Sequence, residues 1–140
     1  MVKKHLNLAI GVSLPCRKFE LEGNTGVKEL PYEVFGNVSF KRISIEDTVI
    51  QRINETAILP SKDRLEWMTI SNSRLEDFPF QILARLSRLK KLDLDNNYLT
   101  SMPAVRTTSL EKLIVHDNKI SRVEEDGWET PNLKHLSMCE

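Results

Sequence analysis

The chain has 140 residues, 40% of them apolar, with 20 basic and 20 acidic side chains. That length suits one domain with an ordinary core. A net charge of zero removes the basic excess by which nucleic-acid-binding domains neutralise phosphate. No run reaches the roughly 18 uncharged apolar residues of a membrane helix, so neither nucleic acid nor membrane is an expected partner.

The N-terminus opens with Lys3 and Lys4 ahead of the apolar run Leu6 to Leu14. A basic stretch followed by a short apolar one is the layout of a secretory signal. Asn7 interrupts the run and no small-x-small cleavage site follows. The other reading is a buried strand or an irregular start to the fold. Residues 1–18 are therefore expected to form an irregular segment or degenerate cap, and 19–140 a series of repeats.

The repeat is clearest at Leu89, Leu92, Leu94, Asn97, Leu99, Met102 and Pro103. These match L-x-x-L-x-L-x-x-N-x-L-x-x-L-P with one replacement, Met102 for Leu. In chain order, a degenerate copy uses Phe19, Leu21, Asn24, Val27, Leu30 and Pro31. The next holds Phe40, Ile43, Ile45, Thr48, Ile50 and Ile53, and the one after it Leu65, Met68, Ile70, Ser73, Leu75, Phe78 and Pro79. Beyond the clearest copy come Leu110, Leu113, Val115, Asn118, Ile120 and Val123, then Leu133, Leu136 and Met138. From Phe40 onward the copies start 25, 24, 21 and 23 residues apart, inside the leucine-rich-repeat range. Coincidental leucines in an ordinary amphipathic α/β domain would have to produce four consecutive matches at constrained spacing.

The expected fold is an α/β leucine-rich-repeat solenoid, a curved horseshoe with a parallel concave sheet and short convex helices or irregular turns. Leu92 and Leu94 lie two apart, so a strand points both to one face. One turn of the coil cannot bury that face alone, whereas stacked turns bury it between them. There are about five repeats, and the last breaks off at Glu140, which reads as a fragment exposing a sheet edge and uncovered core. Asn97 and Asn118 fall where the chain leaves the strand, and an amide there can satisfy backbone groups left unpaired by the turn. Thr48 and Ser73 hold the same place in the earlier copies; their shorter hydroxyls do so only in part, so the N-terminal half is expected to be looser. Between strands, Pro79 to Leu89 carries apolar residues at helical spacing and predicts a short convex helix. Pro31 to Val38 reads as a similar, shorter piece. Pro103 to Leu110 is too short and β-branched for a helix. Trp128 sits where a convex Phe or Leu points inward and reads as core.

Residues between the core positions of each strand face the concave surface, where solenoids bind partners. One column reads Arg42, Trp67, Lys91, Lys112, His135; the next Ser44, Thr69, Asp93, Ile114, Ser137. The two residues after each strand add Glu46 and Asp47, Ser71 and Asn72, Asp95 and Asn96, His116 and Asp117. One edge is thus basic with an aromatic, the other acidic, a pattern that can orient an incoming protein. The partner-binding candidates are Arg42, Trp67, Thr69, Lys91, Asp93, Lys112, Ile114 and His116, with Trp67 foremost because aromatic anchors dominate binding energy. Against this, exposed charge serves solubility anyway, and Trp67 could instead pack on a terminal cap.

No Gly-rich phosphate loop, G-x-S-x-G or H-E-x-x-H occurs. The set most resembling catalytic chemistry, or part of a metal site, is His116, Asp117, His135 and Cys139. An open solenoid face gives it no water-excluding pocket, so the chain reads as non-enzymatic, without cofactor or metal. Cys16 and Cys139 could pair with each other only if the solenoid ends met. Two sequons, Asn37-Val-Ser39 and Asn54-Glu-Thr56, are glycosylation candidates on turns outside the sheet.

Leu30-Pro-Tyr-Glu-Val-Phe-Gly-Asn-Val-Ser-Phe-Lys-Arg-Ile43, the Ser and Thr at asparagine positions, and Trp128-Glu-Thr-Pro-Asn-Leu-Lys-His-Leu136 together resemble a family of arthropod extracellular leucine-rich-repeat proteins. That family is described as similar to the non-catalytic subunit of a shrimp luciferin monooxygenase. The resemblance covers about three quarters of the chain. It implies repeats that support a separate catalytic chain, hence a binding or stabilising role with no catalytic residue to carry over. It also implies a signal peptide and a cysteine-containing cap, of which Cys16 is the one trace. The expected function is a non-enzymatic, extracellular protein-binding module whose partner is a protein ligand or partner subunit. The alternatives are an intracellular, cytoplasmic scaffold and a piece of a receptor ectodomain.

Overall fold

The structure, a computed structural model, describes residues 18–139. The Lys3–Leu14 run and Cys16 lie outside the described residues. Each repeat contributes a short strand in which apolar residues alternate with polar ones. The strands are β1 (Lys18–Glu22), β3 (Arg42–Glu46), β5 (Trp67–Ser71), β6 (Lys91–Asp93), β8 (Lys112–Ile114) and β10 (His135–Ser137). They form one six-stranded parallel sheet in the order β1-β3-β5-β6-β8-β10. The fold is a leucine-rich-repeat solenoid, and the alternation reveals why the strands share one register. Phe19 pairs with Ile43, Ile43 with Met68, Met68 with Leu92, Leu92 with Leu113 and Leu113 with Leu136. A slip by one residue would turn each apolar set outward. Phe19, Ile43, Met68, Leu92 and Leu113 are all buried.

The chain then turns and descends through a second, narrower seam. There β2 (Glu29–Leu30) pairs with β4 (Arg52–Ile53), and β7 (Ser101–Met102) with β9 (Arg122–Val123). The core lies between sheet and seam. Near its N-terminal end Phe35 packs edge to face on Phe19 and Phe40, which tilt against each other, with ring centroids 4.8 to 5.8 Å apart. Towards the other end burial thins: Val123 and Leu136 are 40% and 42% exposed.

The arcs opposite the sheet differ between repeats. Phe80–Arg85 is a 3₁₀ helix inside the Pro79 to Leu89 segment that predicts a helix. A 3₁₀ helix rises about 2.0 Å per residue, more than an α-helix, so six residues cross the back of the repeat while Phe80, Ile82 and Leu83 stay buried. The longest repeat affords a turn of α-helix, α1 (Glu55–Ile58), followed by a 3₁₀ turn at Leu59–Ser61. Asn54 caps α1, its side chain accepting from the Thr56 amide at 3.0 Å. Pro31 to Val38 does not form the expected helical piece. Its bonds run Val34 to Pro31, Gly36 to Glu33 and Val38 to Phe35, single turns that never become consecutive. Glu33 and Gly36, at φ of 52° and 59°, reverse the local hand between them. Trp128 is half-buried and packs against the core, as its place in the repeat predicts. Strands lie about 4.8 Å apart, and the helical and bulky arcs behind them need more room, so the coil bends toward its sheet. The polar face of the sheet is the inner face of that bend.

Candidate functional site

The inner face is a grid. Its first column runs Lys18, Arg42, Trp67, Lys91, Lys112, His135, each paired in register with the next. Its second runs Glu20, Ser44, Thr69, Asp93, Ile114, Ser137. The candidates Arg42, Trp67, Lys91 and Lys112 thus share one stripe, and Thr69, Asp93 and Ile114 another. His116 lies two residues past its strand. Lys18 and Glu20 extend both columns by one strand; the two-residue spacing of Phe19 and Leu21 is the signal that places them. Trp67 is half-buried. The Arg42 guanidinium lies 4.0 Å from its ring centroid and the Lys41 ammonium 5.9 Å, a cation–π stack on the open face. Ile114 is only 9% exposed, so its neighbours cover most of it.

Beside the first column runs a rail of opposite charges. Lys41, Glu66, Lys90, Glu111 and Lys134 are joined through backbone bonds from repeat to repeat. Their side chains pair as Lys41 with Glu66 at 3.9 Å, and Lys90 and Lys134 both with Glu111 at 3.6 Å. Every lysine of the rail thus has a glutamate beside it. Arg42, Lys91 and Lys112 form no ion pair among the described residues.

The acidic rim has a different origin. Asp47, Asn72, Asn96 and Asp117 all have left-handed backbone, with φ between 48° and 55°. Gly23, at φ 66°, occupies the same place in the first repeat. The N–H of each donates to the next repeat: Gly23 to Glu46, Asp47 to Ser71, Asn72 to Asp95, Asn96 to His116, Asp117 to Cys139. Only Gly, Asn and Asp adopt this conformation at low cost. Part of the rim's composition therefore reflects the backbone. The recurrence of Gly, Asp or Asn just past each strand is a sequence signal for that turn, and a reading by charge alone passes over it.

Behind the rim lie the turn residues. Asn97 is 3% exposed. Its amide nitrogen donates to the carbonyls of Ile70, Leu94 and Asp95 at 2.8, 3.1 and 3.0 Å. Its oxygen accepts from the Leu75 amide at 3.1 Å. Asn118 does the same one repeat on, binding the carbonyls of Leu94, Val115 and His116 and the Leu99 amide. The hydroxyls of Thr48 and Ser73 meet each other at 2.9 Å, with Thr48 N–H donating to Ser73 Oγ and Ser73 Oγ–H to the Ser71 carbonyl. Two hydroxyl residues share the work that one asparagine does alone.

Asp93 and Asp95 sit side by side, and the Asp95 amide donates to Asp93 Oδ1 at 3.1 Å. Burial, then a hydrogen bond to Asp93 and its charge, push the Asp95 carboxyl up to about 6; His116 pulls the other way. The raised value makes ionisation of Asp95 costly in the folded chain above that pH. Asp95→Asn keeps a hydrogen bond to Asp93 and removes the charge. It is expected to raise stability by ~0.5 kcal/mol at pH 7.5, a figure discounted for the group's exposure. The gain should fade between pH 6 and the ordinary carboxylate range, because below it both states are protonated. Urea unfolding of both proteins across that range measures it; a difference independent of pH would contradict the assignment.

The His116, Asp117, His135, Cys139 set does not converge. His116 Nδ1 lies 3.1 Å from Asp117 Oδ2, and Cys139 is beside them in register and exposed. His135 stands in the first column. Among the described residues no three His, Cys, Asp or Glu side chains group to hold a metal, and no helix is long and apolar enough to cross a membrane. Asn37 and Asn54 are exposed, off the sheet. Asn54 is the α1 cap and also accepts from Thr56 Oγ1 at 2.7 Å, which gives that sequon a structural reason.

The Leucine Rich Repeat family profile matches residues 88–105, the repeat that fits the consensus best. Over 123 residues the chain is 28% identical to the Oplophorus-luciferin 2-monooxygenase non-catalytic subunit of Oplophorus gracilirostris, covering 86% of this chain and 34% of that protein. It is 28% identical to keratocan of Gallus gallus and 24% identical to human keratocan, each over 119 residues, 84% of this chain and 32% of the relative. The chain thus spans about a third of the length of the curated relatives it matches.

Proposed function

We propose that the chain is a non-enzymatic binding module that holds another protein against the inner face of its sheet, outside the cell. The observation that carries this reading is the first column. It is a continuous, accessible stripe with an aromatic near its centre and three cations, Arg42, Lys91 and Lys112, that form no ion pair among the described residues. The side chains facing it are Arg42, Trp67, Thr69, Lys91, Asp93, Lys112, Ile114 and His116. Similarity to a subunit whose name calls it non-catalytic supports a role in stabilising a partner subunit. It supports an extracellular setting as well, and there Asn37 and Asn54 would be open to glycans. Residues 1–18 would serve as the lead-in or cap and 19–140 as the repeats.

The test is capture from extracellular fluid, with the wild type beside two variants. Thr69→Arg puts bulk in the middle of the inner face, and Gln81→Arg puts the same bulk on the exposed convex arc. A partner kept by the wild type and Gln81→Arg but lost by Thr69→Arg supports the reading. Equal capture by all three, or turnover of substrate by the purified chain, refutes it.

A further inference from the structure

We infer that the first column recognises an acidic segment of polypeptide, laid across the strands with its carboxylates on Arg42, Lys91 and Lys112 and its body against Trp67. This rests on the binding reading above and gives it a chemistry. The rail beside the column shows what compensated charge looks like in this fold: Lys41, Lys90 and Lys134 each have a glutamate within 3.9 Å. One residue away, Arg42, Lys91 and Lys112 have none among the described residues. Four neighbouring strands, β3 to β8, carry it, a span of roughly 14 Å at sheet spacing and the reach of roughly four or five extended residues. Arg42 stacks on Trp67 at 4.0 Å, which fixes the guanidinium plane and leaves its N–H edge for a bidentate carboxylate.

The rim decides against a uniform polyanion. Asp93, two residues along the strand from Lys91, shares the face with Asp95 and Asp117, and burial beside Asp93 already disfavours further negative charge there. A sulfated glycan or nucleic acid would bring negative charge to both stripes. A polypeptide can place carboxylates on one stripe and neutral or basic groups on the other.

Fluorescence anisotropy of the full chain with a labelled peptide alternating glutamate and serine tests this, at low and physiological salt. Binding should weaken with salt. Lys91→Glu with Lys112→Glu should reduce affinity at least tenfold and Trp67→Ala about tenfold. Arg74→Glu with Arg85→Glu, exposed residues off the inner face, makes the same change in net charge and should stay within twofold. Matching unfolding midpoints confirm that the variants fold. Equal losses in the two double variants overturn the inference, as do equal affinity for a lysine–serine peptide, tighter binding of heparin or DNA through the same column, and no binding of any probe. Capture from extracellular fluid that Thr69→Arg abolishes but Lys91→Glu with Lys112→Glu leaves intact would overturn this inference alone and leave the binding reading standing.

Discussion

Replacing Asn97 by alanine is expected to destabilise the chain by about 3 kcal/mol, the upper part of the range for orphaning buried polar groups. The side chain satisfies three carbonyls and one amide at distances of 2.8 to 3.1 Å. One carbonyl, of Ile70, and the amide, of Leu75, belong to the preceding repeat. Alanine orphans the Ile70 carbonyl and the Leu75 amide in a dry space and takes one donor from the Leu94 and Asp95 carbonyls, which keep Asn118 Nδ2 and the Asn72 amide, and it cuts a link between neighbours. At this chain length the unfolding midpoint should fall by roughly 10 °C. Asn97→Asp sharpens the test. It is nearly isosteric and keeps the acceptor for Leu75, but it sets a carboxylate against three carbonyls. At neutral pH it should therefore cost at least as much as alanine. An aspartate variant close to wild type would mean that volume, not hydrogen bonding, sets the value of the position.

Phe40→Ala should cost more, about 4 kcal/mol. Phe40 is 0% exposed, and its ring sits 5.8 Å from Phe19 and 5.0 Å from Phe35. Deleting it removes two aromatic contacts and opens a cavity between the first two repeats. The backbone bond from the Phe40 amide to Ser61 Oγ at 2.8 Å survives, so the loss reports packing alone. Each repeat in a solenoid touches only its neighbours, so the damage should be local first. Hydrogen exchange should accelerate across β1 to β3 well before it does in β6 and β8. Leu136→Ala, at a site 42% exposed, should cost under about 1 kcal/mol. Equal costs at the two sites would refute the burial gradient along the stack.

The core and its register were legible because a parallel solenoid sheet repeats one simple rule. Apolar residues two apart, recurring every 21 to 25 residues, leave few other ways to be buried. The turn asparagines were legible for the same reason, since one unusual side chain recurs at a fixed place. What escaped was decided by backbone conformation or by neighbours. Glu33 and Gly36 have left-handed φ, and nothing in a count of apolar spacings distinguishes their turns from a short helix. The helix at Glu55 has one turn, too few for a period to show, and its cap, Asn54, reads equally as a sequon. The stack of Arg42 on Trp67 depends on two strands lying side by side, which brings together residues 25 positions apart in the sequence. The column was legible, but that Arg42, Lys91 and Lys112 form no ion pair among the described residues while the lysines of the rail do needed side-chain positions.

The left-handed turn after each strand divides the inner face into two kinds of position. Where Asp47, Asn72, Asn96 and Asp117 stand, the backbone admits few residue types, whatever ligand is bound. In the two columns on the strands the backbone is extended and accepts nearly any side chain. Mutational drift can rewrite the columns at little risk to folding, while the rim changes only among three or four residues. A lineage of such repeats would diversify its partners by editing strand positions and would keep a mildly acidic rim as an inheritance of its geometry. Anyone retargeting this scaffold should randomise the columns and leave the rim alone.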